Sequence, residues 1–499
     1  MKLFKSLLLL MLIFLGCSGT ERYDVLIRYG NIIDGSGTAA FIGDIGITSD
    51  TIAAIGDLRN ARGTTEIDAS GMVVAPGFIN MLSWAVESLI EDGRSLGDIC
   101  QGVTLEVLGE GDSWGPWSES MKKDMKASQG DIRYDIEWTT LGEYLEFLEK
   151  KGVSPNIASF VGTATLRIHV VGYDDRPPTA AEMDSMKLLV KQAMEEGAIG
   201  ISSALEYIPA SFASTEELIE LCRVAAEYDG MYISHIRNED ETFLEAIDDF
   251  LQISASTGIR SEIYHLKQVG RTNWHKLDGA IAKIDSARAA GLQITADMYN
   301  YPASSTGLGI LMPEWVQEGG FEKWVARLKD PVVRKVVGPE IIKTIMRKQG
   351  TPEKVLVIGF HTDSLKYLQG KTLAEIAAMR GTSPEEAVMD LVIDDNSNVS
   401  AVFFSMSEDN LRKQIAQPWM MFGSDGKSMA PEGVFLKSAT HPRAYGNFAR
   451  LIGKYVRDEQ VITLEEAVRR LTSLPAATMM IDRRGALKEG YYADVVVFD

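Results

Sequence analysis

Cysteine and basic residues are both scarce in this 499-residue chain. Only 3 cysteines are present, and Cys100 and Cys222 are far apart in sequence, each in an apolar setting. We therefore expect these two to be buried free thiols rather than a disulfide or metal ligands. The 50 Lys and Arg residues face 70 Asp and Glu residues, for a net charge of −20. This balance argues against nucleic acid as a partner and against anionic lipid bound through a basic surface.

Long apolar runs are also scarce, and the one that marks the N-terminus is short. Residues 7–15 are almost all apolar and follow Lys2 and Lys5, which is typical of a signal-peptide core but too short for a comfortable membrane span. The run ends in Phe-Leu-Gly-Cys-Ser, which resembles a lipobox although Phe14 replaces the usual Leu. We expect residues 1–17 to be a lipoprotein-type signal peptide with Cys17 lipidated; the alternative is an ordinary signal peptide cut nearby. Either way the sequence predicts an exported bacterial protein, periplasmic or anchored to the membrane only through its N-terminal lipid.

The remaining chain alternates strand-like and helical segments, which indicates an α/β protein. Its length suffices for a barrel and a smaller domain, and 45% of its residues are hydrophobic. A (β/α)8 TIM-like barrel is the leading fold, with an open doubly wound sheet as the alternative. No Gly-rich phosphate loop of the P-loop or dinucleotide type is present, which weakens that alternative. Nine strands are predicted for eight places, at residues 73–82, 103–108, 157–161, 198–204, 231–236, 263–266, 293–298, 399–404 and 419–422.

The two ends of the chain have a different texture from the middle. Residues 23–70 and 483–499 contain short strands punctuated by Gly and Asp at hairpin spacing. We expect them to form one small split β-sandwich, from residues 22–72 and 476–499, around a barrel at residues 73–475. Because the chain stops at the end of a strand, we expect this sandwich to be truncated. Extra helices interrupt the barrel rhythm at about residues 307–398, where we expect an insertion that serves as a lid.

Two histidines occupy equivalent positions in a β–α–β unit. His235 ends the apolar run in MYISHIRNED, and His265 ends the run in RSEIYHLKQVG, with one helix-length spacer between them. In a barrel, the carboxyl ends of the strands meet at the active site, so both imidazoles would face one cavity. Neutral imidazole is the commonest metal ligand, and the pair therefore favours a divalent metal over two separately hydrogen-bonded histidines.

Several further motifs carry a family resemblance that covers residues 22–499. VVAPGFIN, YISHIRNED, IYHLKQVG, DMYNYPASST, FGSDG and HPRAYGNFARLIGKYV occur in order. With them the chain resembles the amidohydrolase superfamily and, within it, the N-acyl-D-amino-acid deacylases (D-aminoacylases). The resemblance implies a split β-sandwich, a (β/α)8 barrel, and one or two zinc ions that activate water to cleave a linear amide bond.

The chain departs from this family at two ligand positions. The superfamily's first strand ends in His-x-His, but here Leu82 and Trp84 stand there and cannot bind zinc. The metal-ligating Cys of the second strand is replaced by Glu110, a competent zinc ligand flanked by glycines. Glu110, His235 and His265 would then be three protein ligands with an open fourth position, which predicts one zinc ion.

The resemblance also implies roles for residues around the metal. Asp425 in FGSDG matches the aspartate that moves a proton between the attacking water and the leaving nitrogen. Arg443 in HPRAYG matches the arginine that binds the substrate carboxylate, a task that suits the guanidinium fork. The other positions that match substrate-binding residues are Tyr299, Ser305, Tyr207 and Met406.

The sequence thus predicts zinc-dependent hydrolysis of N-acyl-D-amino acids or related D-amino-acid-containing compounds, including short peptides. The preference for D-substrates is implied by the resemblance alone. One alternative is a cyclic-amide hydrolase of the hydantoinase or dihydroorotase type. The other is a degenerate, non-catalytic binding protein, suggested by the missing His-x-His but disfavoured because His235, His265 and Asp425 are all present.

Overall fold

The computed structural model describes residues 21–499. The predicted signal peptide and its Cys17 lie outside these residues. Within the described part, no helix combines the length and apolar character needed to cross a membrane.

Strands from both ends of the described chain share one six-stranded sheet. Its first strand pairs antiparallel with the second and parallel with the fourth and fifth, while the last strand of the chain pairs antiparallel with the fifth. Ile45 and Ile47, two residues apart on one strand, pack with Ile27 and Val74 of neighbouring strands in one apolar cluster, as the two-residue period of a strand requires. The strands are β1 Arg22–Ile32, β2 Phe41–Thr48, β3 Thr51–Gly56, β4 Arg62–Asp68, β5 Val73–Pro76 and β19 Val495–Phe498.

The central strands form two parallel sheets that adjoin at both edges. β6, β7 and β8 make one sheet, and β18-β13-β12-β11-β10-β9 is the strand order of the other. At one edge β8 leads directly into β9; at the other, the Met81 amide donates to the Phe422 carbonyl at 3.2 Å. Parallel strands in this order, connected by helices, are the arrangement of a (β/α)8 barrel. The strands are β6 Phe78–Asn80, β7 Val103–Leu108, β8 Asn156–Ser159, β9 Val161–Gly162, β10 Gly200–Ala204, β11 Met231–His235, β12 Arg260–Ile263, β13 Ile294–Met298 and β18 Met420–Phe422.

Amphipathic helices cover these strands. One of them begins at a capping box, in which Thr179 and Glu182 satisfy each other's backbone amides, and buries Met186, Val190 and Met194 at helical spacing. The helices of this region are α1 Val86–Glu91, α2 Leu96–Ile99, α3 Glu119–Ser128, α4 Leu141–Lys151, α5 Thr163–Val170, α6 Ala180–Glu195, α7 Thr215–Ala226, α8 Phe243–Thr257, α9 Leu277–Ala289, α15 Glu408–Ile415, α16 Arg443–Arg450, α17 Leu464–Leu471 and α18 Ser473–Thr478.

A separate antiparallel sheet with its own apolar core lies between β13 and β18 in the chain. Its strand order is β14-β17-β15-β16, and the core includes Trp324, Ile341, Val357 and Phe403. The predicted strand at residues 399–404 belongs to this sheet, because β17 pairs antiparallel with β14 and β15. It is therefore the surplus ninth candidate. The elements are β14 Ser304–Gly307, β15 Val355–Gly359, β16 Lys371–Thr372, β17 Ser400–Phe403, α10 Glu314–Gln317, α11 Phe321–Lys329, α12 Pro331–Lys348, α13 Leu373–Arg380 and α14 Pro384–Asp394.

Three details differ from the sequence-based expectations. The strand predicted at residues 263–266 lies earlier in the chain, as β12 Arg260–Ile263. The single strand predicted at residues 73–82 is divided at Gly77, where the chain passes from the terminal sheet to β6. A Cβ at Gly77 would lie 2.0 Å from Thr104 Oγ1, so only glycine fits this crossing. Cys222 is buried as expected, but Cys100 is exposed because it follows the short helix α2 at the surface.

Candidate metal centre and active site

Three buried side chains converge at the carboxyl ends of barrel strands. Glu110 follows β7, His235 is the last residue of β11, and His265 follows β12. Glu110 Oε1 lies 3.2 Å from His235 Nδ1 and 2.8 Å from His265 Nε2. One ligand atom from each of the three lies within 4.8 Å of the others. The predicted metal-ligating residues are thus close enough together to share one ion.

Backbone geometry explains how these side chains reach one point. Gly109 and Gly111 on either side of Glu110 have φ of 98° and 68°, which glycine adopts without strain. A Cβ on either glycine would approach Phe160 O or Ala204 Cβ to 2.5 Å. His265 also has a positive φ, 31°, and its amide donates to Asp297 Oδ1 at 3.0 Å. A non-glycine residue persists in this region only where its surroundings hold it.

The geometry and donor chemistry fit a zinc ion. A tetrahedral zinc with bonds of about 2.1 Å would separate its ligand atoms by roughly 3.4 Å, and Glu110 Oε1 lies 3.2 Å from His235 Nδ1 and 2.8 Å from His265 Nε2. One carboxylate and two imidazoles form a common catalytic zinc set that leaves a fourth position open.

The electrostatics of the cluster also suit a cation. Burial would raise the pKa of Glu110, but the neighbouring His265 and His235 outweigh it and hold that pKa well below its usual range. Burial and Lys267 would lower the pKa of His265, yet Glu110 and Glu239 raise it to about 10. The carboxylates of the cluster therefore favour positive charge at this point, which a bound divalent ion would supply.

Trp84 and Leu82, which stand at the His-x-His positions, contact the site in other ways. The Trp84 indole donates to Glu110 Oε2 at 3.0 Å and so restrains the carboxylate. The buried Leu82 accepts a hydrogen bond from the Asp425 amide through its carbonyl, at 2.9 Å. Both residues thus position other groups of the site.

Asp425 and Arg443 form an ion pair beside the three-residue cluster. Asp425 follows β18 and has a φ of 47°, and its Oδ2 lies 2.7 Å from Arg443 Nη1. Burial raises the pKa of Asp425, while the Arg443 charge opposes this shift. The guanidinium also lies over the Tyr299 ring, 4.6 Å from its centroid.

The remaining predicted site residues lie around this pair. Ser305 accepts from Arg443 Nη2 through its carbonyl at 3.0 Å, and the Tyr207 hydroxyl donates to Thr306 Oγ1 at 3.1 Å. Met406 lies behind Tyr299, with its sulfur 3.8 Å from the phenol oxygen. Tyr299, Ser305 and Tyr207 line the cavity, whereas Met406 is not among its lining residues.

Four charged residues of the site were not predicted from the sequence. Lys267 Nζ lies 2.6 Å from Glu239 Oε1 and 2.8 Å from His265 Nδ1. Glu206 Oε2 lies 3.2 Å from His235 Nε2, and Lys348 pairs with Glu206. Lys267 and Glu239 stand in the motifs that contain the two histidines, so spacing could have found them. Lys348 lies 142 residues from Glu206 and carries no such signal.

The charged residues and histidines of the site border one cavity of about 600 Å³. Barrel residues line its base, and residues of the additional sheet and its helices line another wall, including Leu311, Ile358, Phe360 and Phe403. The cavity therefore combines a cluster of charged side chains with apolar ones, which is typical of small-molecule sites.

Comparison with known proteins agrees with this architecture. A model of the Amidohydro_3 amidohydrolase family matches residues 135–499. The chain is 33% identical to an N-acyl-D-glutamate deacylase of Alcaligenes xylosoxydans xylosoxydans over 480 residues, covering 96% of this chain and 88% of that protein. It is also 33% identical to a D-aminoacylase of the same organism, covering 97% and 89%.

Solved structures show the same relationship. N-acyl-D-glutamate deacylase of Bordetella bronchiseptica, bound to zinc and a phosphonate mimic of the tetrahedral intermediate, matches with a TM-score of 0.79 at 32% identity over 96% of this chain and 90% of that one. A D-aminoacylase structure described by its binuclear metal centre, with one-metal activation and second-metal attenuation, matches with a TM-score of 0.78 at 30% identity over the same shares. An L-hydantoinase of Arthrobacter aurescens shares only the fold, with a TM-score of 0.52 at 13% identity over 95% of this chain and 86% of that one.

The fold and the buried carboxylate–histidine cluster are those of a metal-dependent hydrolase. The chain belongs to the amidohydrolase family and, within it, to the N-acyl-D-amino-acid deacylases that include the D-aminoacylases.

Proposed function

We propose that this protein hydrolyses the amide bond of N-acyl-D-amino acids or closely related small compounds, using a single zinc ion. The observation that carries the proposal is the meeting of Glu110, His235 and His265 with the Asp425–Arg443 pair in one cavity. The preference for D-substrates rests on the names of the relatives.

Glu110, His235 and His265 would hold the zinc. When bound, the ion supplies a Lewis acid that polarises the scissile carbonyl and lowers the pKa of water. Asp425 and Tyr299 line the same cavity as these three residues, so both would face a substrate bound beside the ion.

Asp425 is the proposed general base and acid. Its carboxylate takes a proton from the attacking water and returns it to the leaving nitrogen, which requires hydrogen-bond reach to both. Asp425 borders the same cavity as the three ligands, and its raised pKa brings it closer to the range that suits proton transfer near neutral pH.

Arg443, Lys267 and Tyr299 form the proposed carboxylate-binding group. Arg443 lies 4.6 Å and Lys267 Nζ 5.8 Å from the Tyr299 ring centroid, so two cations flank one phenol. A substrate carboxylate bound by the Arg443 fork places its neighbouring amide beside Asp425. Ser305, Tyr207 and Met406 complete the substrate-binding set, with Met406 acting through Tyr299.

We further propose the domain division expected from the sequence, with a split terminal β domain at residues 22–72 and 476–499 around a barrel. Apolar side chains of the additional sheet line the cavity, which supports a lid function for residues 307–398. The apolar leader and the Cys17 motif support export to the periplasm or lipid anchoring to a bacterial membrane.

The test is the metal content of purified protein, by elemental analysis, together with hydrolysis of a panel of N-acetyl-D- and L-amino acids. We expect close to one zinc per chain, loss of that zinc in His235→Ala, and turnover of D-substrates. About two metals per chain would overturn the single-site proposal. No bound metal after zinc is supplied, or metal without any turnover across the panel, would favour a degenerate binding protein.

A further inference from the structure

His235 faces carboxylates with both of its ring nitrogens. Nδ1 lies 3.2 Å from Glu110 Oε1, whereas Nε2 lies 3.2 Å from Glu206 Oε2 and 3.5 Å from Glu239 Oε1. A neutral imidazole has one N–H and one lone pair. If Nδ1 serves the metal together with Glu110, Nε2 must carry the proton and donate it to the carboxylates on the far side of the ring.

Glu206 is itself held by a residue of the additional segment. Lys348, the last residue of α12, pairs with Glu206 Oε1, and its side chain is only 11% exposed. Glu206 lies in the loop after β10, and its side chain is 15% exposed. This ion pair is therefore mostly removed from water, and each charge depends on the other.

Further ion pairs join the end of α12 to the loop that follows His235. Arg347 lies 3.2 Å from Asp240 and 3.0 Å from Glu241, and Lys348 lies 3.7 Å from Asp240. Asp240 and Glu241 belong to the loop that follows β11. The Lys348–Glu206 contact is thus one part of a docking interface between α12 and the barrel.

Glu206, His235 and Glu239 could by spacing hold a second cation, but lysines already neutralise both carboxylates. Lys348 pairs with Glu206, and Lys267 lies 2.6 Å from Glu239. A carboxylate that accepts a hydrogen bond from a metal-binding histidine orients the histidine ring. Glu206 and Glu239 lie where they can do this for His235.

We propose that Lys348 and Glu206 are positioning residues for His235, and that they make metal affinity depend on the docking of α12. This inference rests on the proposed metal site. Lys348 fixes the Glu206 carboxylate, and Glu206 accepts a hydrogen bond from the Nε2–H of His235. The Nδ1 atom of His235 is thereby directed at the metal position. Loss of an outer partner of this kind costs about 10- to 100-fold in metal affinity.

The test compares zinc dissociation constants, measured by chelator competition, for wild type, Lys348→Met, Glu206→Gln and the double variant. We expect each single variant to bind zinc about 10- to 100-fold more weakly and the double variant to add little, because the two residues act through one contact. Lys343→Met, on an exposed turn of the same helix, is the matched control and should bind zinc like wild type. Lys348→Arg should retain most of the zinc affinity because it keeps the positive charge.

A second measurement separates positioning from general destabilisation. Histidine ¹⁵N spectra of the zinc-loaded protein should show His235 protonated at Nε2 in wild type, and a shifted Nε2–H resonance in Glu206→Gln, where a neutral amide replaces the carboxylate acceptor. Wild-type affinity in Lys348→Met, or a His235 protonated at Nδ1, would overturn the inference alone. Absence of zinc binding by wild type, or binding that Glu110→Gln leaves unchanged, would overturn the proposed function together with it.

Discussion

Arg443 Nη1 and Asp425 Oδ2 lie 2.7 Å apart, so the proposed carboxylate anchor and the proposed general base are paired with each other. Both side chains are largely buried, at 6% and 11% exposed. The Arg443 charge opposes the rise in the pKa of Asp425 that burial causes. A substrate carboxylate bound to Arg443 would reduce the effect of the Arg443 charge on Asp425. The pKa of Asp425 would then rise, and Asp425 would become a stronger base when substrate is present.

Asp425→Asn should retain zinc but lose turnover. The amide keeps the size of the side chain and cannot accept the proton, so we expect kcat to fall by about 10²- to 10⁴-fold. Metal content by elemental analysis and kcat with an N-acyl-D-amino acid check this together. Asp278→Asn, at an exposed surface pair with Lys413, is the control and should retain wild-type kcat. Activity retained without zinc would contradict the assigned chemistry.

Arg443→Lys should weaken the use of substrates that carry a free carboxylate. Lysine keeps the charge but loses the bidentate fork, and we expect kcat/KM to fall by about 10- to 100-fold for an N-acyl-D-amino acid. The corresponding carboxamide lacks the anion, so its kcat/KM should change much less. Equal losses for both substrates would mean that Arg443 acts mainly on Asp425 rather than on the substrate.

Trp84→Phe should weaken metal binding while leaving the fold intact. The indole donates to Glu110 Oε2 at 3.0 Å, and phenylalanine keeps the ring but removes this donor. We expect about a tenfold rise in the zinc dissociation constant, at the lower end of the effects that outer partners produce. Trp315→Phe, at an exposed position, provides the comparison. An unchanged dissociation constant would show that Trp84 only fills space.

The spacing of apolar residues predicted many of the secondary-structure elements, because it reflects directly which side chains are buried. The run that becomes β11 ends at His235, and the strand predicted at residues 103–108 coincides with β7. The position of β17 could not be predicted in this way. Its apolar residues suit a barrel strand equally well, and only its antiparallel pairing with β15 assigns it to the additional sheet.

The candidate site was predictable only where chemistry and position coincide in a motif. Glu110, His235 and His265 stand at strand ends, and the structure brings their ligand atoms within 4.8 Å of one another. Lys348 gave no signal, because a lysine at a helix end is usually solvated and only tertiary structure brings it to Glu206. The same holds for Trp84, whose hydrogen bond to Glu110 only the tertiary structure reveals.

A buried pair of carboxyl groups, Asp98 and Glu106, should make stability depend on pH. Burial and the nearby charge of Glu106 raise the pKa of Asp98 well above its ordinary value of 3.8. A group whose pKa is raised on folding binds more protons in the folded state, so its stabilising contribution is complete below the unfolded pKa and is lost as the pH rises through the folded pKa. Asp98 Oδ2 accepts from Asn80 at 2.9 Å, and Asn80 also bonds Ser424, next to Asp425.

Asp98→Asn removes the charge without changing the shape of the side chain. We expect the variant to resemble wild type near pH 4 and to exceed its free energy of unfolding by roughly 1–3 kcal/mol at pH 8, the range for a buried polar group left poorly paired. Urea denaturation at both pH values measures the difference. Asp363→Asn, at an exposed pair with Lys366, should not reproduce this gain. A variant that is less stable than wild type at pH 8 would mean that the Asp98 charge is stabilised in the folded protein and that the raised pKa is wrong.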